Sequence, residues 1–214
     1  MTTVERDESY GQHGLTPVDR FGVWLSLRAI RRHVTLGSSV RVIDLGCGYE
    51  ATLLRTIAPE VASGTGVDLR ISDGAKRLPR LSFIEAPIED ALPRIEPASA
   101  DVLFAISVLE HLAEPERVLR ECYRVLAVDG TLVLNVPTWR GKRFLELSAF
   151  RLGLSPAVEM DDHKMYYDPR DLWPLLVRAG FKPSGLKLRR HKFGLNLFAV
   201  AQKRSAPRED GLAG

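Results

Sequence analysis

Val42-Ile43-Asp44-Leu45-Gly46-Cys47-Gly48 is a short apolar run that passes straight into two glycines, and residues 52–58 behind it have helical spacing. Glycines at a strand-to-helix turn let the backbone approach a ligand closely and turn tightly. The pattern from Gly46 to Ala51 also fits G-x-G-x-x-G/A, and Asp68 follows at about the distance at which an acid holds a ribose hydroxyl. The stretch therefore predicts the first strand of an α/β sheet with a nucleotide-like ligand at its carboxyl end.

Upstream, Phe21, Trp24, Leu25, Leu27, Ile30 and Val34 predict a helix over residues 19–36, ended near Gly37. Downstream, strands over residues 40–45, 64–69, 81–85 and 102–106 alternate with helical patterns, which argues for a mostly parallel sheet covered on both faces. Residues 114–126 carry one apolar stripe with Pro115 in the first turn, and Asp129-Gly130 turns the chain into a buried strand over residues 131–136. Residues 138–162 break the rhythm and read as an insertion or lid that shapes a substrate pocket. Asp168-Pro169 starts a further helix, which Pro174 should kink or delay because it lacks a backbone donor. Residues 181–188 and 193–202 predict a closing antiparallel hairpin around the polar turn 189–192. The expected fold class is α/β, a doubly wound Rossmann-like sheet. One domain covers residues 17–204, between a flexible N-terminus (1–16) and a disordered tail (205–214).

Composition narrows the class. Hydrophobic residues at 45% and charged residues at 27% belong to a globular chain. A net charge of +3 is too small to predict a nucleic-acid partner. Cys47 and Cys122 lie far apart without neighbours at ligand spacing, so neither disulfides nor a metal site are expected. No apolar run approaches the ~20 residues that span a bilayer, and residues 1–16 hold no apolar signal core, so a cytoplasmic protein is expected.

Two cofactor readings compete at the glycines, and Asp44 separates them. A nicotinamide or flavin cofactor would bring a pyrophosphate against this carboxylate, which is repulsive, whereas S-adenosyl-L-methionine brings an ammonium and a sulfonium. With that carboxylate in place, the residues resemble class I S-adenosylmethionine-dependent methyltransferases. Asp44-Leu45-Gly46-Cys47-Gly48 is similar to that family's first motif and Gly66-Val67-Asp68-Leu69 to its second. Residues 84–93 correspond to the third, and residues 101–137 to the fourth and fifth with the helix between. Glu50 departs from the pattern where a third glycine is usual and would strain the loop if its φ were positive. Pro87 departs where an aspartate is common.

The resemblance implies a strand order of 3-2-1-4-5-7-6 and a cofactor held by Asp44, Gly46, Cys47, Gly48, Asp68 and Leu69. It places Ile88 and either Glu89 or Asp90 at the adenine, with Ser107 and Glu110 after the fourth strand. His111 and His163 are candidate bases, although His111 could equally orient the loop. Asp161, Asp162, His163 and Tyr166 could equally form a solvated loop with a helix cap. Residues 162–169 with Ala179-Gly180-Phe181 resemble small-molecule and glycan-modifying branches, which implies O-methylation of a sugar, lipid-linked glycan or small metabolite. The alternatives are N-methylation of a small amine or protein side chain, and a non-catalytic S-adenosylmethionine-binding regulatory partner. Oligomeric state is left open.

Overall fold

The computed structural model describes residues 9–12, 14–143 and 164–205. Seven strands form one sheet: β1 (Arg41–Leu45), β2 (Ser63–Asp68), β3 (Leu81–Glu85), β4 (Ala100–Ile106), β5 (Leu126–Pro137), β6 (Leu186–His191) and β7 (Asn196–Gln202). Their order is β3-β2-β1-β4-β5-β7-β6. The first five run parallel, and β7 is antiparallel to both β5 and β6. Fold class and strand order are those expected from the sequence.

Alternation along the strands sorts the core into two layers. Ile43, Leu45, Leu103, Leu132 and Leu134 face α5 (Pro115–Val125) and α6 (Pro169–Arg178), which contribute Val118, Leu119, Cys122, Leu172 and Leu176. Val42, Val102, Phe104, Val133 and Phe198 face the other way, toward α1 (Pro17–His33) and α2 (Thr52–Ile57) through Ile30, Leu54 and Ile57. Asp44 falls on this second face at the carboxyl end of β1, between Gly66 of β2 and Phe104 of β4. Both layers leave the carboxyl edge of the parallel strands for the loops.

Several boundaries differ from expectation. β5 begins at Leu126, because residues 127–130 bulge out and the ladder resumes at Thr131 opposite Val102. Asp129 takes φ 63°, and Asp129 and Gly130 exchange backbone hydrogen bonds with Lys203. Arg189 and Arg190 belong to β6, and the hairpin turns through residues 192–194 instead. Phe181 precedes β6 and packs edge-on against Tyr123. α6 starts without delay at Pro169, capped by Asp168 and Asp171, and runs through Pro174. Ser9 and Tyr10, assigned to a flexible N-terminus, are hydrogen-bonded to Arg70 and Tyr49. Of the expected tail, Ser205 accepts from Lys182, and residues 206–214 lie outside the described residues.

Lys203 closes the far end of the sheet. Its ammonium donates to the carbonyls of Tyr123 and Leu126 at 2.8 and 2.7 Å, at the carboxyl end of α5. Replacing it by Met keeps the stem and removes both charge-assisted bonds. Lys203→Met should cost about 1–2 kcal/mol in urea unfolding, as expected for losing such bonds at a half-buried site, with little effect on ligand binding at the opposite edge.

Candidate cofactor and acceptor site

The turn after β1 is tied to β2 before any ligand is considered. Gly46 and Cys47 both donate backbone N–H bonds to the Val67 carbonyl, at 2.8 and 3.1 Å. Gly48 N–H donates to one carboxylate oxygen of Asp68 at 2.7 Å, and Leu69 N–H to the other at 2.8 Å. The ends of β1 and β2 therefore move as one piece. Gly46 and Gly48 take φ of 67° and 77°, and a Cβ at Gly46 would lie 2.5 Å from a methyl of Val108. Neither position tolerates a side chain without strain.

The left-handed residue further along is Ala51 at φ 45°, not Glu50, which pairs with Arg55 at 2.7 Å. The strain feared at Glu50 thus falls on the residue that caps α2, whose methyl is fully buried.

Asp44 and Asp68 form an acidic floor beneath this turn. Both are buried, Asp44 to 2% exposure. Burial first and the nearby Asp68 carboxylate second hold the Asp44 carboxyl well above the usual carboxylate range. Cys47 lies against the same pair. Burial, Asp44 and Asp68 together push its thiol far up, which makes it a packing residue and no nucleophile. A floor of this sign repels a pyrophosphate and suits a cation.

The wall beside the floor comes from β3 and the chain after it. Ala86 N–H donates to the Asp68 carbonyl at 3.0 Å, so α4 (Ile88–Ala91) starts next to Asp68, with Ile88 and Glu89 half-buried and Asp90 exposed. Glu85 braces the approach. It accepts from Ile71 N–H and Lys76, and that lysine foremost holds its carboxyl below the usual range.

β4 pairs with β1 through Ala105 and Leu45, which sets residues 107–111 beside Gly46. Ser107 is exposed, takes φ 57° and donates its N–H to Asn135 of β5 at 2.8 Å. Leu109–His111 is a single 3-10 turn with Glu110 buried and His111 half-buried. A strap over residues 164–167 holds this turn down. Lys164 N–H donates to the Glu110 carbonyl, Tyr167 N–H to Pro137 and the Tyr167 hydroxyl to Leu109. Burial first, then Glu110 and Asp171, push the Tyr167 phenol up to about 12, so it stays a neutral donor. His163, Asp161 and Asp162 lie outside the described residues.

The structure thus gathers Asp44, Gly46, Cys47, Gly48, Asp68, Leu69, Ile88, Glu89, Ser107, Glu110 and His111 along one carboxyl edge. It adds two residues that sequence reasoning missed. Tyr10 accepts from Tyr49 N–H at 2.9 Å and its side chain reaches Asp19, while Ser9 accepts from Arg70 N–H at 2.7 Å. These bonds run mainly through backbone or a serine hydroxyl, which leave no periodic signature.

Fold and floor together define an α/β domain with buried carboxyls beneath a glycine turn at the carboxyl edge of its sheet. Residues 43–134 match the model of a methyltransferase domain. A "Probable S-adenosylmethionine-dependent methyltransferase" of Mycobacterium tuberculosis is 30% identical over 145 residues, 65% of this chain and 48% of that protein. The chain thus spans about half the length of that relative. A ubiquinone biosynthesis O-methyltransferase of Nitrosomonas europaea is 28% identical over 160 residues, 70% of this chain and 66% of that one. Among solved structures, the complex between the Haloferax volcanii Trm112 methyltransferase activator and its "putative methyltransferase" superposes with a TM-score of 0.67. It has 16% identity over 87% of this chain and 92% of that one, a likeness of fold. Residues 43–134 therefore carry a methyltransferase domain, and the proteins this chain is similar to include an S-adenosylmethionine-dependent methyltransferase and an O-methyltransferase by name.

Gly46→Ala tests the turn directly. The added methyl meets Val108 at a positive φ, which should cost about 1–3 kcal/mol in chemical denaturation. Calorimetry should also find S-adenosylhomocysteine bound at least about tenfold more weakly, the equivalent of roughly 1.4 kcal/mol.

Proposed function

We propose that this protein transfers a methyl group from S-adenosylmethionine to an oxygen of a small-molecule or glycan acceptor. The observation that carries the reading is the buried Asp44 carboxyl beside Asp68, beneath a turn whose glycines admit close approach. Two carboxylates held close in a dry place favour a cationic ligand, and the cofactor offers both an ammonium and a sulfonium. The O-methyltransferase name of the Nitrosomonas relative supports oxygen as the acceptor atom.

In this reading Asp68 holds the ribose hydroxyls while its bonds to Gly48 and Leu69 keep it in place. Asp44 with Gly46, Cys47 and Gly48 receives the amino-acid end, and Ile88 and Glu89 flank the adenine. Bound cofactor supplies an electrophilic methyl on sulfur, so the protein's work is alignment and exclusion of water. Ser107, Glu110 and the strap over residues 164–167 shape the acceptor side. His111, half-buried at the end of its turn, would take the proton of an acceptor hydroxyl as the carbon–oxygen bond forms, the methyl–sulfur bond breaks and neutral S-adenosylhomocysteine leaves. His163 is a second candidate for that proton.

Calorimetry of the full chain with S-adenosylmethionine, S-adenosylhomocysteine and NAD is the test. The two sulfur compounds should bind and NAD should not, and Asp68→Ala should weaken binding at least about tenfold, the scale of losing hydrogen bonds to an ionised group. Folded protein that binds neither sulfur compound would sink the reading. Bound cofactor without turnover of any hydroxyl acceptor would favour the regulatory alternative.

Asp44 gives the reading a pH signature. In the ligand-free fold its carboxyl titrates above the unfolded value of about 3.9, so the folded state holds the extra proton. Its contribution to stability is present below the unfolded value and fades as pH rises through the raised one. Cofactor binds the ionised form, so affinity should rise with pH across that range and binding should release a proton. Titrations in two buffers of different ionisation enthalpy count it; an unchanged heat would remove Asp44 from the cofactor's cationic end.

A further inference from the structure

The carboxyl edge has a second chemical feature, on the β5 side and away from the acidic floor. A cleft of about 300 Å³ is lined by Trp139, Lys142, Arg143 and Arg170. That volume is at the low end of small-molecule sites, and three of the four lining residues are cations. The cleft is built from two ends of the fold. Thr138 follows β5 and is buried; its hydroxyl donates to the Gly194 and Leu195 carbonyls and accepts from Gly141 N–H, which starts the helical turn at residues 139–143. Arg170 stands in the first turn of α6.

Aromatic rings give the cleft a shelf. Trp139 and Tyr166 lie 5.6 Å apart, and the Lys142 ammonium sits over both rings at 5.7 and 5.6 Å. Trp139 is fixed by its indole N–H, which donates to Asp171 at 3.2 Å, and the same Asp171 oxygen accepts from Asp168 N–H. One Asp171 oxygen therefore serves both the shelf and the helix cap.

Pairing separates Arg143 and Arg170 from other cations on the surface. Arg31, Arg41, Arg55, Lys76, Arg117, Arg120, Arg124 and Arg178 all hold carboxylates. Arg143 and Arg170 make no ion pair among the described residues, nor does Arg140, whose guanidinium lies near Gly194 and Arg190. Arg143 and Arg170 are like charges in one concavity that no carboxylate pairs among the described residues, and an anion relieves their repulsion.

The cleft also adjoins the acceptor side. Tyr166, half of its shelf, immediately precedes Tyr167, whose hydroxyl reaches Leu109 in the turn that carries Glu110 and His111. We propose that this cleft binds a phosphate or pyrophosphate group carried by the methyl acceptor, at a distance from the hydroxyl that is methylated. The substrate class is then a phosphorylated small molecule or glycan. This assignment of the acceptor rests on the methyltransferase reading above; the anion site itself does not. Guanidinium forks on Arg143 and Arg170 suit phosphate oxygens, and Trp139 offers a face to the adjoining sugar or ring.

The test is calorimetry of the full chain with inorganic pyrophosphate, in parallel with S-adenosylhomocysteine, on the native protein and on Arg170→Gln and Lys142→Gln. Pyrophosphate should bind in the millimolar range or tighter, weaken with added salt, and lose about three- to tenfold in each variant, while S-adenosylhomocysteine affinity stays unchanged and shows that the variants are folded. Absent pyrophosphate binding, or equal binding in native and variant proteins, overturns the proposal. Vesicles of phosphatidylcholine with phosphatidylglycerol form a further arm. Vesicle binding that the variants lose, without binding of soluble pyrophosphate, would assign the patch to a lipid surface and overturn the proposal. Pyrophosphate bound in the cleft by a protein that ignores S-adenosylhomocysteine would keep the anion site and discard the methyltransferase reading.

Discussion

The hydrogen bond from Gly48 N–H to the Asp68 carboxylate is the constraint on which the site depends. It joins the end of one strand to the turn after its neighbour, and it does so with an ionisable group. With the paired bonds of Gly46 and Cys47 to Val67, it fixes the backbone of the turn in a conformation that only glycine adopts cheaply. Everything placed around the turn inherits that rigidity. Val108 can fill the space where a Gly46 side chain would stand, and Tyr10 can lie across Gly48, because neither glycine presents a Cβ. The same bond orients Asp68 without ligand, so binding need not order it.

That arrangement carries a cost the rest of the fold must offset. A buried carboxyl beside another carboxylate is unfavourable in its charged form, and Asp44 has both burdens. The two apolar layers supply the compensation. β1 contributes Ile43 and Leu45 to one and Val42 to the other, and its neighbour β4 adds Leu103 and Phe104. The acid sits where these layers end, at the last turn of protein before solvent. A cationic ligand would turn that liability into an attraction.

The sequence made the sheet legible wherever strands were buried on both faces. β1 and β4 announce themselves as β-branched and apolar runs, and the strand order followed from resemblance and survived in the structure. Boundaries failed where tertiary pairing overrides local pattern. Asp129-Gly130 reads as a turn, yet residues 127–130 are a bulge within β5, because Leu126 already pairs with Ala100 and Lys203 zips onto the bulge. Arg189 and Arg190 read as loop because they are polar, but β6 is an edge strand, where one side of the strand needs no apolar partner. Pro174 looked disruptive, although capping by Asp168 and Asp171 and burial of Leu172 and Leu176 hold α6 together around it. The sequence motifs put their residues on one carboxyl edge of the sheet; Ser9 and Tyr10 beside them left no sequence signal, since their main contribution is backbone and hydroxyl bonding at long sequence separation.

The carboxyl edge carries opposite charge on its two halves. At β1 and β2 the floor is Asp44 and Asp68; at β5 and the start of α6 stand the exposed Arg140, Arg143 and Arg170 with the half-buried Lys142. The turn bearing Glu110 and His111 lies between them, strapped to both β5 and the Tyr166 shelf. A cationic donor drawn to one half and an anionic acceptor drawn to the other would meet over that turn, and each would be repelled by its partner's half. Charge alone would then fix which ligand occupies which side, before any shape-specific contact forms, and leave the 107–111 turn to govern the alignment on which methyl transfer depends.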